Sequence, residues 1–308
     1  MKIINNKFEN IENIENFDFD SFIKQMTKYI ASYELSEEEV SQIYLDLQNT
    51  IIQYTDGKEY MTKYDGIIKN NKFPSHAAAF HTLANQVKTD NGFEVSSGLF
   101  LRSNIRNNLH VFVHEFFHAS SEKRSLIYDN NVLYTKSGVI LKYWDKEDNL
   151  INSEYNFRAL NEGITEMLTQ DFLNEKGKNN YLFQVVLAKI LSKYDSSVVK
   201  AYFSREENAI ISFSNKFNEL QNAMTSKEFA TISQFIFDDQ DLIFRTLKAC
   251  IEYSINCCKQ MNIPFEKEWI IELASELDND FNYELKNNSY TEIVNEIFNQ
   301  TLINVNSK

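Results

Sequence analysis

Residues 114–118 read His-Glu-Phe-Phe-His. On a helix, positions i and i+4 stand one above the other, so His114 and His118 can turn both imidazoles towards one cation. Glu115 follows the first histidine and can reach water held on that cation as a general base. Zinc suits such a site, because it accepts nitrogen and oxygen ligands at four-coordination. One Zn2+ per chain is expected, in the service of hydrolysis.

A catalytic zinc needs a third protein ligand and an open position. Downstream runs Leu160-Asn161-Glu162-Gly163-Ile164-Thr165-Glu166. Glu162 and Glu166 are four apart and share one helix face. Glu162 is assigned to the metal. Glu166 is placed to accept a hydrogen bond from the far nitrogen of a ligand histidine, His114, fixing its tautomer and raising its basicity. Gly163 costs helix propensity, and its missing side chain would let the two motif helices approach closely. His110 competes, one turn before His114. A regular helix spreads His110, His114 and His118 over about 12 Å, too far for one ion. His76 and His81, on another segment, stay open as alternatives to Glu162.

The positioning elements follow from pattern. A helix is expected from about Asp20 to Tyr33. A second starts at Ser36, where Ser36 and Glu39 have capping-box spacing, and can run to about Tyr54. Pro74-Ser75 reads as a further helix start before residues 76–83. Asn91-Gly92 is a turn signal. Phe93–Leu101 reads as a strand, with Gly98 at a bend or bulge. The histidine motif sits in a helix from Asn104 to about Ser120. Ser125–Tyr134 and Gly138–Trp144 read as extended runs that can form a hairpin. Asp145–Ser153 reads as a loop, and Phe157–Phe172 as the helix of the second motif. The rest has helical pattern: Tyr181–Lys193, Glu206–Ala223, Ser226–Phe237, Leu242–Gln260, Lys267–Leu277 and Thr291–Val305. The expected class is α+β, with residues 1–175 carrying both motifs and residues 176–308 forming a helical C-terminal domain.

Composition agrees. Only 2 prolines and 7 glycines punctuate 308 residues, which favours long helices over a many-turned β fold. A net charge of −13 disfavours phosphate backbones and anionic membranes as partners, so neither nucleic acid nor membrane is expected. Cys250, Cys257 and Cys258 are odd in number and clustered, which reads as buried small hydrophobes rather than a disulfide framework. No apolar run is long enough for a secretory leader or a membrane span. A complete chain of this kind is expected in the cytoplasm, and one from which a leader had been removed would be secreted. The Asn-, Lys- and Ile-rich usage points to an AT-rich bacterial genome.

His114-Glu115-x-x-His118 followed by Asn161-Glu162-Gly163-Ile164-Thr165-Glu166 resembles the gluzincins, the thermolysin-like zinc metallopeptidases. The resemblance spans roughly residues 93–172, about a quarter of the chain. It implies a zincin-like core with a small antiparallel sheet and active-site helices. It also implies His114, His118 and Glu162 as ligands, Glu115 as base and Glu166 as support for the first histidine. Thermolysin-like enzymes use a C-terminal histidine on the oxyanion. This chain has none after His118, which leaves Tyr155, Tyr181, Tyr194 and Tyr202 as candidate donors. It also lacks an aminopeptidase-type signature for a free amino terminus, so the expectation is an endopeptidase acting on a peptide or protein. In zincins an edge strand pairs with the substrate backbone, and Phe93–Leu101 could serve so or belong to the core. Three other readings stay open: a catalytically inactive relative that binds through its cleft, a zinc hydrolase acting on another carbonyl, and a helical interaction module.

Overall fold

The computed structural model describes residues 17–75, 77–90, 92–105, 108–122, 125–127, 133–144, 150–175, 181–206, 208–213, 215, 251, 255, 258–259, 262, 264–280 and 290–306. Helix α1, Phe19–Ile30, starts where the Asp18 carboxylate accepts from the Ser21 amide. It buries Phe22, Ile23, Met26 and Ile30. Helix α2, Glu37–Gln48, opens with the expected capping box of Ser36 and Glu39. It ends six residues before the expected Tyr54. Ile51–Thr55 is instead strand β1, because the β-branched pair Ile51-Ile52 finds a parallel strand partner.

That partner belongs to a six-stranded mixed sheet of order β1-β5-β4-β2-β3, with β6 also on β5. Strands β2, Glu59–Tyr64, and β3, Ile67–Lys72, form an antiparallel hairpin. Asp65 and Gly66 turn it with φ of 48° and 83°, the doubly positive pair that two-residue hairpin loops demand.

Strand β4, Ala79–Thr89, overturns the helix expected after Pro74-Ser75; His76 itself lies outside the described residues. Alanines favour helix intrinsically, but pairing decides. β4 lies antiparallel to β5, Gly92–Arg102. Phe80 stacks on Phe100 with centroids 5.3 Å apart, and Ala84 is buried with Phe73 and Phe100. The irregularity expected at Gly98 sits across the ladder, between Leu83 and Asn85. Gly98 is a packing position, since a Cβ there would overlap the Phe100 ring and the Ala84 methyl.

β5 is an inner strand. Beyond β4 on one side, it pairs with β1 along 98–102 and with β6, Ser125–Ile127, along 92–94. Phe100 and Leu101 are fully buried. Those stretches cannot accept a substrate strand, and the core reading of this segment holds there.

A second sheet is antiparallel, of order β7-β8-β9. Its strands are Leu133–Ser137, Ile140–Trp144 and Leu150–Asn156. A hairpin forms as β7–β8, but Lys136 and Ser137, expected in its turn, are paired in β7, and the chain turns at Gly138 with φ of 57°. The run Ser125–Tyr134 divides between the two sheets. Leu150–Asn156, expected in part as loop, pairs with β8 because Leu150, Ile151 and Tyr155 give it strand character.

Helix α3 is Leu109–Ser120 and α4 is Arg158–Leu173. Beyond them lie α5, Leu182–Tyr194; α6, Ser197–Phe203; α7, Lys267–Asp280; and α8, Tyr290–Asn306. The expected helices Glu206–Ala223, Ser226–Phe237 and Leu242–Gln260 fall largely outside the described residues. So do Cys250 and Cys257, while Cys258 is buried. Among the described residues no helix is long and apolar enough to cross a membrane. The class is α+β, with a largely helical C-terminal region.

Contacts gather into two units. The first joins both sheets and α1–α3 to residues 168–174 and 200–210. Its helical core is aromatic: Phe22 meets Phe112, Phe116 and Phe172 at 5.7, 5.2 and 6.1 Å between centroids. The second holds residues 157–167, 175–199 and 211–308. There Phe157 packs on Phe213, Phe265 on Phe298, and α7 on both α8 and α5. Helix α4 is continuous and contributes its two halves to the two units.

Candidate metal centre

Asn108 caps α3, its side-chain oxygen accepting from the Val111 amide at 3.2 Å. The helix has two uses for i,i+4 spacing. Phe112 and Phe116 go to α1 through Phe22. His114 and His118 form the other pair, with ring centroids 5.0 Å apart. Both histidines and Glu115 are only 7–8% exposed. Burying three ionisable groups is costly unless they are partnered, and a metal ion is one such partner.

A helix leaves its last four carbonyls without helical partners. In α3 they are all met within the fold. Ser121 N reaches Phe117 O and His118 O, and the Ser120 and Ser121 hydroxyls donate to the same two carbonyls. Glu122 N reaches Ala119 O at 3.4 Å, and Arg205 Nη2 donates to Ser120 O at 3.2 Å. The cap carbonyl, Ser121 O, takes Gly138 N and Lys136 Nζ. Lys136 is 1% exposed and also donates to Tyr202 O at 2.9 Å. Lys136, buried, and Arg205, which also pairs with Asp46 at 3.0 Å, thus face the negative end of α3, where they offset its dipole. His118 stands in that last turn.

The third group comes from α4. Asn161, Thr165, Glu166 and Thr169 are buried, and Thr165 Oγ1 donates back to Asn161 O. Glu162 is half-buried. The helix is seated by Phe172 on Phe22, Tyr29 and Phe117. Gly163 faces α5, where a Cβ would overlap the Gln184 carbonyl. The close approach expected of this glycine is therefore real, but its partner is α5 rather than α3.

His114, His118 and Glu162 each offer one ligand atom, and these atoms lie within 4.8 Å of one another. Four-coordinate zinc with bonds of 2.0–2.2 Å sets its ligands about 3.3 Å apart, so small side-chain rotations close the site. Two imidazoles and one carboxylate leave a fourth position free, the ligand count of a catalytic rather than a structural zinc. The donor set fits the ion.

Among the described residues no other histidine or acid joins this group. His110 is buried on α3 without being part of it. His81 is engaged elsewhere, 2.7 Å from Ser97 Oγ and 3.1 Å from Glu122 Oε2. Glu115 is buried beside His114, and Glu166 one turn beyond Glu162. Of the tyrosines, Tyr202 is fully buried against Phe203, a packing role. Tyr181 begins α5 in the left-handed region, φ 59°. No motif or spacing singles out Ser97, Glu122, Lys136 or Arg205. Only Glu122 left a trace, one turn beyond His118.

No protein-family model matches the chain, and no curated protein and no solved structure matches it either.

Proposed function

We propose that this chain is a zinc-dependent peptidase with a zincin-like core of the gluzincin type, acting as an endopeptidase. The observation that carries the reading is the convergence of His114, His118 and Glu162 from two helices, with an acid next to the first histidine. A zinc ion held there would acidify a bound water and polarise a scissile carbonyl. Glu115 takes the proton of the attacking water and returns it to the leaving amine, the work of a general base turned acid. Its burial keeps that exchange away from bulk solvent. Glu166 accepts from the far nitrogen of His114 and holds the ring in its ligating tautomer.

The test is cleavage of a peptide library by zinc-loaded wild type and by Glu115→Gln. Internal cleavage by the wild type, lost by at least about 100-fold in a variant that keeps its zinc, is expected. A zinc-loaded wild type that cuts no peptide would contradict the peptidase reading. It would favour the alternatives: a zincin-fold binder or a hydrolase of another carbonyl substrate.

A further inference from the structure

Three polar side chains meet beside the end of α3. Ser97 Oγ donates to Glu122 Oε2 at 2.6 Å. His81 Nε2 is 2.7 Å from that hydroxyl and 3.1 Å from the same carboxylate oxygen. His81 is on β4, Ser97 on β5, and Glu122 just past the α3 cap. Ser97 is fully buried, and the His81 and Glu122 side chains are 6% and 15% exposed.

The geometry narrows what this cluster does. A cation bound by all three atoms would hold them about 3.3 Å apart. The spacings are those of hydrogen bonds. In a nucleophilic triad the acid and the nucleophile meet opposite ring nitrogens. Here both meet Nε2, and a fully buried Ser97 Oγ has no access to substrate. With the serine hydroxyl donating to the carboxylate, the imidazole Nε2–H is left to donate to both oxygens. The cluster is a tie between a helix end and a sheet.

Its location gives the tie a use. β5 is the most fully paired strand, held by β4, β1 and β6. α3 packs on β4 and β5. Glu122 lies four residues beyond His118, and its backbone also bridges Ser137. Helix ends fray unless held, and His118 is in the last turn of α3. We propose that Glu122 is a positioning residue for the ligand pair His114/His118, anchored through Ser97 and His81 to the centre of the sheet. This rests on the metal reading above.

The experiment compares wild type, Glu122→Ala, Glu122→Gln, Ser97→Ala and Glu162→Ala. Zinc affinity is measured by chelator competition, ligand geometry by the visible spectrum of the cobalt(II) form, and folding by thermal unfolding of the metal-free proteins. Glu122→Ala is expected to lose about 10–100-fold in zinc affinity and to shift the cobalt spectrum, the scale seen when a group supporting metal ligands is removed. Glu122→Gln keeps an oxygen acceptor for Ser97 and should recover most of the loss. Ser97→Ala should move both readouts in the same direction and serves if Glu122→Ala does not fold. Unchanged affinity and spectrum in Glu122→Ala and Ser97→Ala, beside loss of metal in Glu162→Ala, would overturn the positioning role and leave the metal site standing. A shift in unfolding temperature alone would overturn it too. Failure of the wild type to bind either metal would overturn both.

Discussion

A Cβ on Gly163 would overlap the carbonyl of Gln184, so α4 and α5 touch where only glycine fits. Gly163 is adjacent to Glu162, and the contact sets how α4 lies at the carboxylate. Replacing it with alanine gains about 1 kcal/mol of helix propensity. Against this stands a clash with backbone, which cannot rotate away. Such overpacking costs about 1–3 kcal/mol. Gly163→Ala is therefore expected to unfold at lower denaturant and to bind zinc more weakly. Stability and affinity both equal to wild type would show that the contact is slack.

Phe22 ties α1 to both motif helices, through Phe112 and Phe116 on α3 and Phe172 on α4. It is fully buried. Phe22→Ala is expected to cost about 3–5 kcal/mol, from lost transfer energy and the cavity left behind. Urea unfolding checks this. A loss under about 1 kcal/mol would mean that the aromatic cluster collapses without penalty.

Glu39 supplies the pH dependence. Burial pushes its carboxyl up, but hydrogen bonds from Ser204 Oγ, Arg205 N and both Ser36 donors outweigh this and hold it below the ordinary glutamate value. A carboxyl with a lowered folded pKa stabilises the fold above its unfolded value, and the contribution fades as pH falls through the folded one. Wild type should lose stability below about pH 4.5 more steeply than Glu39→Gln. Parallel urea midpoints in the two proteins from about pH 6 to pH 3 would contradict the assignment.

What the sequence made legible was local. The Ser36–Glu39 box, the first motif helix, expected from Asn104 and found over Leu109–Ser120, and the second motif helix depend on short-range spacing. The i,i+4 rule also brought out the histidine pair and Glu162. Long-range pairing decided the rest. Pro74-Ser75 suggested a helix start before residues 76–83, but β4 exists because β5 lies beside it. Leu150–Ser153, the end of the Asp145–Ser153 stretch that looked polar enough for a loop, belongs to β9 because β8 gives it a partner. The Asp65-Gly66 turn was readable and marks a hairpin that pattern alone could have found. Lys136 is the opposite case. Nothing in a strand's sequence announces a buried lysine whose partners are carbonyls at two helix ends.

The central claim is that His114, His118 and Glu162 hold one zinc ion. It is tested most directly by elemental analysis of gently purified wild type and Glu162→Ala. One zinc per wild-type chain and a sharp loss in the variant are predicted. No zinc in the wild type after supplementation, or full retention by Glu162→Ala, would contradict the three-residue site.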